Sequence, residues 1–195
     1  FGNNFFTWSN ISGVLLSTAV IGILALGTTF VIITAGIDLS IGTGMTLAAV
    51  MTGVFITNMG VPMWLGVIGG VATGALMGLI NGLNIAFLKL PPFIATLAMM
   101  MIAQGLALVI SGVRPIYFST SAPNFKDIAL GTLIPGLPNA VLITGVLAII
   151  AFFVLGKTLL GRYTFAIGSN EEATRLSGVN TRRWLVLIYV FAGTF

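Results

Sequence analysis

Ahead of Lys89 the chain carries one charged side chain, Asp38, and the residues around it fall into long apolar runs. Five such runs, at 11–35, 41–57, 62–87, 93–112 and 139–156, are separated by polar or Gly/Pro punctuation, and a sixth begins at Trp184. About 20 apolar residues in helical form cross a hydrocarbon core roughly 30 Å thick. Hydrophobic residues make up 57% of the 195 and charged residues 6%, where a soluble domain has about a quarter charged. These features predict an all-α, polytopic transmembrane helical bundle, a single membrane domain over 1–195 with no compositional shift to a soluble one. The 41–57 run is the shortest; at a rise of about 1.5 Å per residue it falls slightly under the core thickness, so it tilts little or pairs with a broken neighbour.

The chain opens with FGNNFFTWSN, without a methionine, a basic n-region or a small-residue cleavage site, and stops inside an apolar run at 192–195. Both ends are therefore expected to be cut from something longer. Orientation follows from the basic residues. Lys157, Arg162, Arg175, Arg182 and Arg183 flank or occupy one loop, which the positive-inside rule places in the cytoplasm. Alternation then puts Lys89 inside as well, and the 58–61 turn and the 114–138 segment, with Arg114 and Lys126, outside. The same alternation puts Phe1 outside, which implies an earlier span.

Several kinds of chemistry are excluded or unsupported. The chain has no cysteine and no histidine, so disulfides, thiol nucleophiles and the commonest transition-metal ligands are unavailable, and neither a metal site nor a cofactor is expected. Glu171 and Glu172 are adjacent but lack partners with catalytic spacing, so no enzyme is read here. Gly156-Lys157-Thr158 ends a near-match to a phosphate loop, but Ala151 stands at its first glycine position and the segment closes an apolar helix. Any ATP must be handled by another chain. The net charge of +4 reads as membrane orientation and not as nucleic-acid binding.

Within the third run Gly66, Gly70, Gly74, Gly78 and Gly82 recur every four residues and share one helical face. Such a face lets a neighbouring backbone approach closely, which is what favours helix association in lipid; tight packing is the expected role, with a pore-lining or subunit contact as the alternative. Asp38, in Gly36-Ile37-Asp38-Leu39-Ser40, has two readings. Either Asp38 or Ser40 caps the following helix, or the segment is a broken helix whose ends line a translocation path. Asn81, Asn84 and Gln104 are the other polar side chains near the spans, as interhelical hydrogen-bonding groups or path residues.

The strongly polar stretch is 161–178, GRYTFAIGSNEEATRLSG. Ser169 followed by Glu172 has capping-box spacing, Glu171 and Glu172 suit the positive end of a helix, Arg175 the negative end, and Gly178 a left-handed stop. A helix of about two turns is predicted, with Ala173 and Leu176 on a small apolar face. So short a helix needs tertiary or partner packing to persist. The alternative is an ordinary solvated connector.

These residues carry a resemblance. Residues 172–178, EATRLSG, are similar to the EAA-type cytoplasmic loop of ABC importer permeases, with Thr174 where a second alanine is expected. The run GRYTFAIGSNEEATRLSGVN, together with AGIDLSIG and PPFIATLAMM, resembles the membrane subunit of the ribose, xylose, arabinose and galactose class of bacterial ABC sugar importers. GIDLS separates that group from the related branched-chain amino acid permeases, and the likeness extends over nearly the whole chain. It implies a roughly ten-span permease of the bacterial cytoplasmic (inner) membrane, of which this would be the middle portion. The implied partners are a second permease subunit, cytoplasmic ABC ATPase subunits and an extracytoplasmic sugar-binding protein. The ATPase-docking element would be Gly168, Ser169, Asn170, Glu171, Glu172, Ala173, Arg175, Leu176 and Gly178, within the loop 157–183.

A monosaccharide hydroxyl buried without a partner costs about 2–7 kcal/mol. This chain offers few fixed polar groups in its apolar runs, so sugar selectivity is expected mainly in the binding protein, with the permease as a gated passage. An ion-coupled secondary transporter or a passive channel for a small neutral solute are the alternatives. Uptake without ATP would mark the first, and flux down a gradient without partners the second.

Overall fold

The computed structural model describes residues 5–118 and 122–195. Phe1 and part of the 114–138 segment therefore lie outside the described residues. The helices are α1 (Trp8–Ile33), α2 (Ile41–Thr57), α3 (Met63–Ala86), α4 (Pro92–Ser111), the short α5 (Asp127–Leu130), α6 (Asn139–Lys157), α7 (Leu159–Leu176) and α8 (Thr181–Ala192). Beyond them only an isolated bridge, Ile134 to Leu137, occurs among the described residues. Helices α1, α3, α4 and α6 are long and apolar enough to cross a membrane, and α2 is a shorter apolar helix.

The ends of these helices follow from local chemistry. Proline stands at the N-cap of α3, α4 and α6, where its missing N–H is no loss and its fixed φ suits entry into a helix. Gly112 closes α4 with φ 61°. The sixth apolar run begins earlier than hydropathy shows: α8 starts at Thr181, three residues before Trp184, because the Asn180 side chain accepts the Arg183 N–H at 3.2 Å. Arg182 and Arg183 hide that start from a hydropathy scan.

Two groups of helices meet along α8. Leu47, Met77, Met99, Ala103 and Ala107 join α2, α3 and α4, while Phe30, Ala151, Ile167 and Ile188 join α1, α6, α7 and α8. Val31, Ile85, Ala95, Tyr189 and Ala192 connect the two. The outer faces are apolar: Ile21, Val109 and Phe152 are each more than two-thirds exposed. Exposed apolar surface on this scale is untenable in water and suited to lipid or to further helices.

The glycine face of α3 lies against two helices. Gly66 meets Ile56, and Gly70 meets the Thr52 hydroxyl and Ala48 carbonyl, all on α2. Gly74 lies on the Gly193 carbonyl just past α8; on α8 itself, Gly78 lies on the Tyr189 carbonyl and Gly82 on the Val186 Cα. A Cβ at Gly74 or Gly78 would stand 2.2 or 2.1 Å from those carbonyl oxygens, so α3 and α8 touch backbone to backbone. That contact fixes α8, and with it Tyr189, relative to α3.

Candidate functional site

The segment 34–40 interrupts what would be a continuous apolar path from α1 to α2. Helix α1 ends in a Schellman motif: the Gly36 N–H donates to the Val31 carbonyl at 3.1 Å and the Ala35 N–H to the Ile32 carbonyl at 2.9 Å. The left-handed position falls on Ala35, with φ 60°, where a Cβ costs roughly 1–2 kcal/mol. The break is therefore held by its surroundings. Thr96 of α4, fully buried, accepts the Leu39 N–H at 3.2 Å. Asn81 of α3 donates from Nδ2 to the Ser40 hydroxyl at 2.9 Å.

Asp38 and Ser40 act here in a way that differs from the capping expectation. The Asp38 Oδ1 accepts the Ser40 N–H at 2.8 Å and the Ser40 hydroxyl at 2.6 Å. Neither side chain takes an N–H of the first turn of α2. The carboxylate folds back on its own loop because Ser40, two residues on, offers two donors in reach. Asp38, Ser40 and Asn81 thus form one group. Asn84 is half-buried one turn further along α3 and outside that group, and Gln104 is exposed on α4.

The polar stretch 161–178 is mostly helical. Helix α7 begins directly after α6, with the Thr158 side chain accepting the Gly161 N–H at 3.4 Å, and breaks at Asn170, whose φ and ψ are −161° and 102°. The capping-box assignment to Ser169 and Glu172 is corrected by one residue: the Asn170 Oδ1 accepts the Ala173 N–H at 2.9 Å and so caps residues 171–176. Glu172 is not free to reach back because it pairs with Arg175, one turn on. That hydrogen bond, and then the guanidinium charge, holds the Glu172 carboxyl below the usual carboxylate value, and Glu172 raises Arg175 in return. Gly178, at φ 85°, ends the helix.

Two contacts fix this small helix on the body. Thr174 is buried, and its hydroxyl lies 2.9 Å from the Ala166 carbonyl and 2.8 Å from the Asn170 carbonyl, bridging the break. The Thr181 hydroxyl, at the first residue of α8, donates to Glu171 at 3.0 Å. With Thr174 turned inward, Ala173 and Leu176 lie outward, Leu176 being 78% exposed. On the N-terminal side of the break, Gly168 rests on the Ile33 carbonyl at the end of α1. Thr96, Thr181 and Tyr189 carry no signal in the sequence because each is an unremarkable residue in its run; Thr174 stands out there only as a departure from the expected alanine.

Long apolar helices with outward apolar faces, a polar connection at 34–40 and a capped polar helix at one end define a polytopic α-helical membrane protein. The comparisons make this specific. A family model described as branched-chain amino acid transport system / permease component matches residues 10–195, and the chain belongs to that family. It is similar to the ribose import permease protein RbsC of Escherichia coli (strain K12), 36% identical over 192 residues that make up 97% of this chain and 59% of the relative. It is also similar to the fructose import permease protein FrcC of Rhizobium meliloti, 38% identical over 98% of this chain and 55% of the relative. The galactose/methyl galactoside import permease protein MglC of Haemophilus influenzae is 35% identical over 95% of this chain and 60% of the relative. The chain thus spans about three fifths of the length of these curated relatives. No solved structure matches it.

Proposed function

We propose that this chain is part of the membrane-spanning permease of an ATP-driven importer that moves a monosaccharide across the bacterial cytoplasmic membrane. The observation that carries the proposal is the helix 171–176: it is capped by Asn170, fastened from behind by Thr174, and presents Leu176 outward between charged side chains. A single exposed leucine on a rigid polar helix suits an anchor for a partner's apolar pocket. The proposed partner is a cytoplasmic ATPase. Its nucleotide chemistry is supplied by that separate chain, and a second permease subunit and an extracytoplasmic sugar-binding protein complete the assembly.

The sugar assignment draws on the relatives, which are named for ribose, fructose and galactose. The basic residues support the orientation: Lys89, Arg175 and Arg182 line one cavity, whereas Arg114 follows the opposite end of α4, and the richer side is taken as cytoplasmic. The test is uptake by the full-length permease with its ATPase and binding protein. Glu172→Lys and Gly178→Val are expected to insert normally yet to lose sugar accumulation and stimulation of the ATPase. Retention of both at wild-type levels would remove the docking assignment.

A further inference from the structure

The segment 34–40 separates two cavities. One, of about 590 Å³, opens among Lys89, Glu172 and Arg182 and reaches Thr34, Gly36 and Tyr189. The other, of about 290 Å³, runs between α2 and α3 and reaches Asp38 and Ser40. Residues 34 and 36 therefore face one space, and residues 38 and 40 the other. Non-helical backbone at such a place in a membrane protein is tolerated where it is buried in protein or lines a cavity; Gly36 and Ser40 are buried, and the segment lines both cavities.

Two polar atoms flank the segment without a hydrogen-bond partner among the described residues: the Asn81 Oδ1 and the Tyr189 hydroxyl. Each residue is 1% exposed. Asn81 uses its amide nitrogen to hold Ser40 at one end of the segment. The Tyr189 hydroxyl lies against the other end, where a Cβ on Gly36 would stand 2.7 Å from it. Buried polar atoms without partners are rare and costly, and a pair of them at two points along one seven-residue segment calls for a ligand that satisfies them. A polyhydroxylated solute has the complementary need, since each hydroxyl it buries requires a partner.

We propose that residues 34–40 are a movable partition across the solute path, and that the Asn81 Oδ1 and the Tyr189 hydroxyl are contact points for the hydroxyls of a neutral sugar passing it. This rests on the import function proposed above. The partition is joined to the docking helix by two routes, both at its 34–36 end. Gly168 of α7 rests on the Ile33 carbonyl, next to Thr34. Glu171 holds Thr181 of α8, the helix that carries Tyr189 against Gly36. A displacement of residues 171–176 by a partner therefore reaches the segment through α7 and through α8, and a sugar hydroxyl replaces the closed segment beside the orphaned atoms.

The test uses the full-length permease with its ATPase and binding protein in proteoliposomes, with labelled ribose, fructose and galactose as probes. Tyr189→Phe removes a hydroxyl that has no partner among the described residues, so melting temperature and ATPase association are expected to match wild type while uptake falls about fivefold. Wild-type uptake, or a lowered melting temperature, would overturn the contact. The partition is tested without a sugar, by single cysteines at Thr34 and at Ala48, which lines the second cavity, and an impermeant thiol reagent. Without ATP, each is expected to react from its own side of the membrane only; reaction of both from one side would overturn the partition. Sided labelling in a complex that accumulates none of the three sugars would contradict the import function and support the partition.

Discussion

Gly168 lies so close to Ile33 that a Cβ added at Gly168 would stand 1.8 Å from the Ile33 carbonyl oxygen. The last turn before the Asn170 break is in this way set directly on the backbone that ends α1, with no side chain between to absorb movement. Any rotation of α7 must move the α1 terminus or separate from it.

Gly168→Ala is accordingly expected to destabilise the permease by about 1–3 kcal/mol through overpacking against backbone that cannot rotate away. Thermal unfolding in detergent measures it. Gly156→Ala, at a position with nothing within 4 Å of the added carbon, serves as the control, and equal melting temperatures for the two variants would contradict the contact.

The α3 and α8 contact gives a second contrast. A Cβ at Gly78 would stand 2.1 Å from the Tyr189 carbonyl, whereas one at Gly105 on α4 meets nothing within 4 Å. Gly78→Ala is expected to reduce folded yield and to lower stability by about 1–3 kcal/mol, while Gly105→Ala leaves yield unchanged or raises it through better helix propensity. Comparable losses in both variants would show that helix α3 is not seated on α8 in this way.

Thr174 supplies a third. Its hydroxyl reaches the Ala166 and Asn170 carbonyls across the break, so Thr174→Val, which keeps the shape and removes the donor, is expected to loosen residues 170–178 by about 1 kcal/mol. Hydrogen exchange of the backbone amides of that segment should accelerate about fivefold, while α3 amides are unaffected. Unchanged exchange at 170–178 would mean that the threonine does not hold the helix.

Sequence patterning made the apolar helices legible because hydropathy reports burial in lipid directly: α2 runs over 41–57 as expected, and α1, α3, α4 and α6 fall within three residues of their expected ends. The glycine period likewise marked one face of α3. Hydrogen bonding was less legible, because it depends on which groups meet in space. Ser169 and Asn170 are both good caps by type, and only the backbone break decides for Asn170. Asp38 has the chemistry of a helix cap, yet Ser40 competes for it. Nothing in the sequence sets Tyr189 apart within α8; its hydroxyl gains meaning only beside Gly36.

The central claim is that residues 171–176 form the docking surface for the ATPase, and a photo-crosslinking amino acid at Leu176 tests it most directly. In membranes containing the full-length permease and its co-expressed ATPase, irradiation is expected to join the two proteins, with loss of the adduct when Gly178→Val is added. The same amino acid at Phe153, exposed on the apolar face of α6, should give no such adduct. Absence of a permease–ATPase adduct from Leu176, or an equal yield from Phe153, would contradict the claim.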